Sequence, residues 1–295
     1  MRRLIVNADD FGFTAGINRA IVEAHTRGIV TSTTLMANGR AFDDAVRSAT
    51  TVPSLSVGCH VVLIDGAPVL DAEQLPSITT SDSNGPHFRD ELKFFAARAL
   101  AGRLNPREIE MEVCAQIRRI QSAGVNVSHV DTHKHTHLFP AVLRPLLRAA
   151  GACGVRAIRN PFGPSKPLKS SALLARPGLW TRYAEVKILR TLAAKFREAA
   201  RREGFLTPDG TLGVVVTGAL DEKLFRGIAA IIPEGTWEFV CHPGYNDADL
   251  TSASTRLRHS RETELRVLTM PEARQLLLDE RIALISYRDF LLTET

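Results

Sequence analysis

Short β-rich runs of apolar residues alternate with stretches of helical periodicity along this 295-residue chain. In the first helical stretch, from Ile17 to Ala24, apolar residues recur at i, i+3, i+4 and i+7, which places them on one helix face. The alternation predicts eight strands: Arg3–Asn7, Ser32–Met36, Leu55–Val61, Val127–Asp131, Val155–Arg159, Gly213–Thr217, Trp237–Cys241 and Ile282–Ser286.

The best-marked helix is predicted to begin after Asn105. Asn105 can cap it, Pro106 suits the first helical position, and Glu108 stands where a capping-box acid reaches back. Gly124 is a natural stop.

Strands that alternate with helices predict βα units around a parallel sheet. About eight such units favour a closed or nearly closed (β/α) barrel, similar to a TIM barrel but irregular, over an open doubly wound sheet. The first predicted strand is not followed by Gly-x-Gly-x-x-Gly or a phosphate loop, which weakens the nucleotide-binding alternative. We expect a single domain over residues 1–295.

Two long segments interrupt the alternation. Asp65–Asp90 is rich in Pro, Gly, Ser, Thr and Asp, and Asn160–Gly178 carries four prolines. Both follow predicted strand ends, where barrel enzymes build their substrate sites, so we expect substrate-contacting loops at the carboxyl face of the strands. The alternative is that they only cover the barrel mouth.

The net charge of +5 permits a nucleic-acid or acidic-membrane partner without requiring one. Basic residues are interleaved with acids, as in the run from Arg256 to Glu264, which favours a solvated helix face and no nucleic-acid partner. No apolar run reaches the roughly 18 residues of a membrane span. The amino-terminal run is too short for a signal peptide, and the four cysteines form no Cys-x-x-Cys pair. We therefore expect a cytoplasmic protein with reduced thiols.

Titratable side chains follow four of the predicted strands. Asp9 and Asp10 follow the first, His60 ends the third, Asp131–His137 ends the fourth, and His242 follows the seventh. Because the carboxyl ends of parallel strands meet at one face, we expect these side chains to converge.

The stretch Asp131–His137 is the most specific signal for metal. Its three histidines alternate along the chain and share one face if the backbone stays extended. An Asp with two His forms a facial set that leaves coordination positions open. The paired Asp9 and Asp10 suit a cation ligand beside a free base, although a turn or helix cap would also explain them.

Four motifs occur in the order and spacing of a known family: Asn7–Gly12, Thr31–Thr34, Gly58–His60 and His129–His137. Together they resemble the YdjC-like carbohydrate deacetylases, which include chito-oligosaccharide deacetylases and deacetylases linked to hopanoid lipid biosynthesis. The resemblance covers nearly the whole chain. It implies an irregular (β/α) barrel, one divalent metal ion (Mg²⁺ or Zn²⁺), and hydrolysis of an N-acetyl group on an amino sugar with release of acetate.

By position, the resemblance places the metal ligands on Asp10, His60 and His133 and the general base on Asp9. His242 is the position that we assign to the general acid. We expect four further residues to contact substrate: His135, His137, Arg159 and Tyr245.

Two positions depart from the chito-oligosaccharide pattern. Lys134 stands where those enzymes tend to have another histidine, and Thr132 replaces a usual serine. These features, with Thr217–Gly218 and the basic region 160–200, are closer to the hopanoid-associated branch. The expected substrate is therefore an N-acetylated amino-sugar glycan or glycolipid.

Two alternative functions stay open. A metal-dependent phosphoesterase or amidohydrolase on a similar barrel would use clustered His and Asp, often with two ions. A non-catalytic glycan- or lipid-binding protein would not need the Asp9 carboxylate. Lys166, Lys169 and Arg176 lie near Leu173–Leu174 and Trp180, which is compatible with peripheral contact at the inner face of a membrane. The sequence is also compatible with a homodimer.

Overall fold

The computed structural model describes residues 1–83, 85–89, 91–253 and 255–294. The strands in these ranges are β1 (Arg2–Phe11), β2 (Ser32–Leu35), β3 (Ser56–Val61), β4 (Thr79–Asp82), β5 (Gly85–Phe88), β6 (Val127–Thr132), β7 (Gly210–Leu212), β8 (Gly235–Cys241) and β9 (Ile282–Leu284).

The α-helices in the same ranges are α1 (Ala15–Thr26), α2 (Phe42–Thr51), α3 (Leu92–Leu100), α4 (Pro106–Ser122), α5 (Pro140–Ala152), α6 (Ser170–Leu174), α7 (Trp180–Leu189), α8 (Ala193–Arg202), α9 (Glu222–Ala229), α10 (Ala248–Ser252), α11 (His259–Thr269), α12 (Pro271–Asp279) and α13 (Tyr287–Glu294). Five 3₁₀ turns lie between them: Ala72–Gln74, His133–Leu138, Pro177–Leu179, Arg190–Leu192 and Val214–Val216.

The main sheet is parallel and has the order β6-β3-β2-β1-β8-β7. β9 pairs with the start of β1, at Arg2–Leu4, whereas β2 pairs further along, at Asn7–Phe11. Because β8 pairs along Arg2–Ala8 of the same strand, β2 and β9 share its other edge at different heights.

Irregular chain joins the two ends of the sheet. The amide of Val130 in β6 donates to the Ala157 carbonyl at 3.0 Å, and the amide of Ile158 donates to Leu206 at 3.0 Å. Further along the chain from Ile158, the carbonyl of Phe162 accepts a hydrogen bond from the amide of Thr211 in β7 at 3.0 Å. The sheet therefore curls into an irregular (β/α) barrel surrounded by helices, which confirms the predicted fold class.

Three of the eight predicted strands need correction. Val155–Arg159 lies in the ring but forms only isolated bridges. In the Gly213–Thr217 run, Gly213 adopts a left-handed φ of 94° and three valines form a 3₁₀ turn, so the strand is the preceding β7. The strand within Ile282–Ser286 ends at Leu284 and pairs with β1 on the edge that β1 also shares with β2, so it adds no separate position to the ring. The ring therefore has seven positions instead of the eight predicted.

Helix α4 begins as predicted, since the Asn105 side chain accepts a hydrogen bond from the amide of Arg107 at 3.0 Å. The predicted capping box is wrong, because the Glu108 carboxylate does not reach back to Asn105 but accepts a hydrogen bond from the amide of Ser77 at 2.7 Å. The predicted loop 65–90 contains a 3₁₀ turn and the antiparallel hairpin β4–β5, while Asn84 and Asp90 lie outside the described residues. The segment 160–178 is largely irregular but includes α6.

The two faces of the sheet bury different chemistry. On β1, Leu4 and Val6 face outward into the core shared with the helices, whereas Ile5 faces the barrel interior. Ile5 packs there with Tyr287 and Phe290 of α13. Further along the interior, buried polar residues replace apolar ones, which places charged groups toward the carboxyl ends of the strands.

Gly58 of β3 tests how closely this sheet is packed. A Cβ at Gly58 would lie 2.5 Å from His129 Cε1 and 2.7 Å from the His129 carbonyl oxygen. We expect Gly58→Ala to lower the free energy of unfolding by about 1–3 kcal/mol, as measured by urea denaturation. Gly227→Ala on α9 is the control: its Cβ meets nothing within 4 Å, so it should be neutral or slightly stabilising. Equal stability of both variants would contradict this packing.

Candidate metal centre and active site

Asp9 and Asp10 end β1 with different backbone conformations. Asp9 continues the inward side of the strand, while Asp10 has a left-handed φ of 70°. The pairing with β2 also shifts register between Ala8 and Phe11. Asp tolerates this conformation better than most residues do. The local twist lets two consecutive carboxylates approach the same site, which a regular strand would prevent.

Asp10, His60 and His133 come together as predicted. Asp10 Oδ1 lies 3.6 Å from both His60 Nε2 and His133 Nδ1, and these two nitrogens are 3.3 Å apart. Three atoms that each lie about 2.0–2.2 Å from a common ion in a tetrahedral site would be separated by roughly 3.4 Å. One carboxylate and two imidazoles are also a donor set that zinc and other divalent metals accept. The geometry therefore fits one divalent ion.

Each of these three side chains is oriented by a second polar group. His60 Nδ1 lies 2.7 Å from Asp131 Oδ1, so His60 presents Nε2 to the cluster. Arg261 donates to Asp10 Oδ2 at 2.5 Å, which leaves Oδ1 for a cation. His133 Nε2 lies 3.5 Å from Asp65 Oδ2, whose carboxylate also pairs with Lys134.

The histidine pKa values reflect the surrounding carboxylates. Burial lowers the pKa of His133, but hydrogen bonds to Asp10 and Asp65 outweigh it and raise the pKa to about 9. His60 shows the same balance: burial opposes its protonation, and Asp131 raises its pKa. A proton on His133 offsets part of the negative charge of these carboxylates, and a bound cation would take its place.

Asp9 is held by Arg159. Arg159 Nη1 and Nη2 donate to the two oxygens of Asp9 at 2.9 and 2.6 Å, and Asn7 Nδ2 adds a bond of 3.0 Å to Oδ1. Burial raises the pKa of Asp9, but the charge of Arg159 outweighs it and keeps that pKa well below the usual range. Arg159 is 0% exposed and its donors face carboxylates, so in this conformation none of them is free for the predicted contact with substrate.

His242 reaches the same cluster from the end of β8. Its Nε2 lies 3.9 Å from Asp9 Oδ2, and its backbone amide donates to Glu264 at 2.6 Å. Burial lowers the pKa of His242, although Glu264 and Asp9 partly oppose the shift. His242 is therefore neutral at pH 7, and an acid role requires it to gain a proton during turnover.

The stretch 131–137 departs from the expected extended chain. It turns at His133–Leu138, where Lys134 and His135 have left-handed φ values of 53° and 52°. The three histidines therefore do not share one face, and only His133 joins the ligand cluster. His135 is half-buried, and burial together with the charge of Arg159 lowers its pKa to about 3. Its substrate contact stays a prediction.

Two residues that were predicted to contact substrate, His137 and Tyr245, are bonded to other side chains of the protein. His137 is fully buried, with Nδ1 2.6 Å from Thr132 Oγ1 and its ring against Phe196. The Tyr245 hydroxyl bonds to Glu23 of α1, and Arg19 lies over its ring. Both side chains therefore hold local structure in this conformation.

Helix α11 corrects the expectation of a solvated charged face. Arg261 and Glu264 are 1% and 2% exposed and contact Asp10 and the amide of His242, respectively. They precede Leu265 and Leu268 at helical spacing and so share the buried face. That periodicity could have identified them. Asp65, which contacts His133 and Lys134, lies in a predicted loop, and no periodicity in the sequence marked it as part of the site.

Comparisons with known proteins find relatives that match nearly the whole length of the chain. A family model described as YdjC-like protein matches residues 3–279. A carbohydrate deacetylase of Brevibacillus brevis is 32% identical over 97% of this chain and 99% of its own. A chitooligosaccharide deacetylase of Escherichia fergusonii is 30% identical over 98% of this chain and 99% of its own. A solved structure from Enterococcus faecalis V583, named for cellobiose-phosphate cleavage, is 27% identical, has a TM-score of 0.78 and covers 98% of each chain.

The raised pKa of His133 predicts pH-dependent metal binding. Because the pKa is about 9, binding at neutral pH must displace a proton, and raising the pH removes that competition. We expect the apparent affinity for Zn²⁺ or Mg²⁺ to rise up to tenfold per pH unit between about pH 6.5 and 9, measured by calorimetry together with proton release. His259→Gln, outside the cluster, should keep this slope. An affinity independent of pH would contradict the assignment of His133.

Proposed function

The chain belongs to the YdjC-like family, and from this premise we propose that it is a metal-dependent hydrolase that removes the N-acetyl group from an amino sugar and releases acetate. The observation that carries the proposal is the meeting of Asp10, His60 and His133 beside Asp9, whose lowered pKa keeps it ionised. The matched relatives named as carbohydrate and chitooligosaccharide deacetylases support the substrate class.

Amide hydrolysis needs a stronger nucleophile than neutral water and a way to stabilise negative charge on the carbonyl oxygen. A divalent ion held by Asp10, His60 and His133 supplies Lewis acidity for both. In this proposal Asp9 accepts the proton of the attacking water. Its depressed pKa keeps it ionised at physiological pH, and its contacts with Arg159 fix the direction in which it accepts.

The departing amine cannot leave as an anion and needs a proton. We assign its delivery to His242, which is neutral before turnover. Asp9 Oδ2 lies 3.9 Å from His242 Nε2, which is beyond a direct hydrogen bond, so in this proposal a proton taken from the attacking water passes to the imidazole through one bridging water and then to the amine nitrogen. Acid–base assistance of this kind contributes about 10²–10⁴-fold to the rate.

The structure favours one metal ion over a two-ion phosphoesterase or amidohydrolase. A second group of candidate ligands exists at Asp9, His60 and Asp131. However, Arg159 is paired with both of these carboxylates and already supplies the positive charge there. A stoichiometry of two tightly bound ions per chain would favour the rival function.

Substitutions at two positions separate the proposed roles. Asp9→Asn should keep metal binding and lower acetate release from N-acetylglucosaminyl substrates by about 10²–10⁴-fold, because it removes the base. His133→Ala should lose metal and turnover together. A chelator should abolish wild-type activity, and re-addition of Mg²⁺ or Zn²⁺ should restore it. Full activity of either variant would overturn the assignment, and bound saccharide without acetate release would indicate a binding protein.

We also propose that the substrate is a glycan or a glycolipid, such as a hopanoid-linked amino sugar, presented near a membrane. The support is a basic arm, residues 160–202, with ten Lys and Arg and two Glu, a net charge of +8 in a chain of +5. Leu174, Trp180 and Ile188 on this arm are 72%, 54% and 70% exposed. Cationic and apolar side chains together suit an anionic lipid surface.

No helix within the described ranges is long and apolar enough to cross a bilayer. The single domain over residues 1–295, the homodimer, the cytoplasmic location and the native metal stay predictions.

Vesicle sedimentation tests the basic arm. Lys166→Glu with Lys169→Glu should weaken binding to phosphatidylglycerol vesicles by more than about tenfold, since each basic residue near such a surface contributes about 1 kcal/mol. Separately, Trp180→Ser with Ile188→Ser should weaken this binding because it removes exposed apolar side chains from the arm. Leu292→Ser on α13 is the control for an exposed apolar side chain outside the arm. Equal binding by all variants, or no preference for anionic over phosphatidylcholine vesicles, would dismiss membrane contact.

A further inference from the structure

The guanidinium of Arg159 has every N–H directed at a carboxylate. Nε donates to Glu238 at 2.8 Å, and Nη2 lies 2.6 Å from both Glu238 and Asp9. Nη1 donates to the second oxygen of Asp9 and pairs with Asp131. An arginine has five such donors, so this group has none left for another partner.

Glu238 of β8 is held in turn from α13. Its Oε2 accepts from the Tyr287 hydroxyl at 2.6 Å and from Thr211 at 3.4 Å. The Tyr287 ring stacks on His129 with centroids 3.5 Å apart, and the Tyr287 amide donates to Ser32 Oγ at 3.0 Å. All of these residues are buried, and none belongs to the metal-ligand cluster.

We propose that Glu238 and Tyr287 are positioning residues that orient Asp9 through Arg159. This inference rests on the proposed function, in which Asp9 is the base. It assigns a role in the reaction to side chains that contact Arg159 or Glu238 and do not themselves contact Asp9.

The argument is one of geometry. An arginine side chain turns about several single bonds, and Asp9 alone fixes only one edge of its guanidinium. Glu238 occupies the adjacent edge formed by Nε and Nη2, and Asp131 pairs with Nη1, so the three carboxylates together define the plane and the rotation of the group. The Tyr287 hydroxyl then limits the movement of Glu238. Tyr287 is itself fixed, because its ring stacks on His129 and its amide bonds to Ser32. A displacement of about 1 Å in a reacting group can cost 10²-fold in rate.

Two conservative substitutions remove the orienting contacts and retain the packing. Tyr287→Phe deletes the hydroxyl and keeps the stacked ring, and Glu238→Gln keeps the side-chain shape. In the metal-loaded enzyme we expect kcat for acetate release to fall about 5- to 50-fold, with KM and metal affinity within about twofold of wild type. Glu108→Gln on α4 is the matched control, since it perturbs a buried carboxylate bonded to the Ser77 amide and should keep kcat.

A double-mutant cycle distinguishes positioning from general damage. If Glu238 acts through Asp9, Glu238→Gln should not lower further the residual rate of Asp9→Asn. The same fold-loss in both backgrounds would overturn the proposal, as would a wild-type kcat in both single variants.

Crystal structures provide a readout that does not depend on activity. In Tyr287→Phe and Glu238→Gln, the Arg159 guanidinium should rotate and the Asp9 carboxylate should move relative to Asp10 and His60. Unchanged positions would overturn the inference even if the enzyme is a deacetylase. If wild type releases no acetate, the proposed function fails, while displacement of Asp9 would still show that Glu238 and Tyr287 position this carboxylate.

Discussion

The interior of this barrel is organised around a buried guanidinium and the carboxylates that enclose it. Arg159 neutralises part of the charge of Asp9, Asp131 and Glu238, and Arg261 does the same for Asp10. Buried charges are costly unless they are paired, and breaking such a pair costs about 3–5 kcal/mol. The carboxylates nevertheless outnumber the guanidiniums, so the site has an electrostatic need for further positive charge. A proton on His133, or a divalent ion between His133 and His60, would meet that need.

This constraint explains where the sequence was informative. Strand ends concentrate ligands at one face of a parallel sheet, so Asp10, His60 and His133 could be placed together from local patterns and the family motifs. The whole stretch Asp131–His137 was interpreted as metal-binding, but the Asp131 carboxylate faces Nδ1 of His60 and Arg159. Which atom of a side chain faces the ion depends on contacts that no local spacing encodes.

The residues that were misplaced share a physical cause. Arg159 follows a run of β-rich residues and looked free to contact substrate, yet its partners lie 28 to 150 positions away in the chain. The left-handed turn at Lys134–His135 breaks an alternation that predicts an extended face. Likewise, Gly213 ends β7 before a run of valines that otherwise indicates a strand. Five of the eight predicted strands followed from periodicity, whereas closure of the ring depended on long-range hydrogen bonds through irregular chain.

The two adjacent aspartates show how the backbone separates chemical roles. Asp9 and Asp10 have the same side chain, but the left-handed φ at Asp10 turns its carboxylate toward Arg261 and the two histidines, while Asp9 stays toward Arg159. Arg261 occupies one oxygen of Asp10 and leaves the other for a cation. Arg159 occupies both oxygens of Asp9 and competes with any ion there. An exchange of roles would require both guanidiniums to move within a packed interior, so the assignment of ligand and base follows from the position of each arginine as much as from the aspartates themselves.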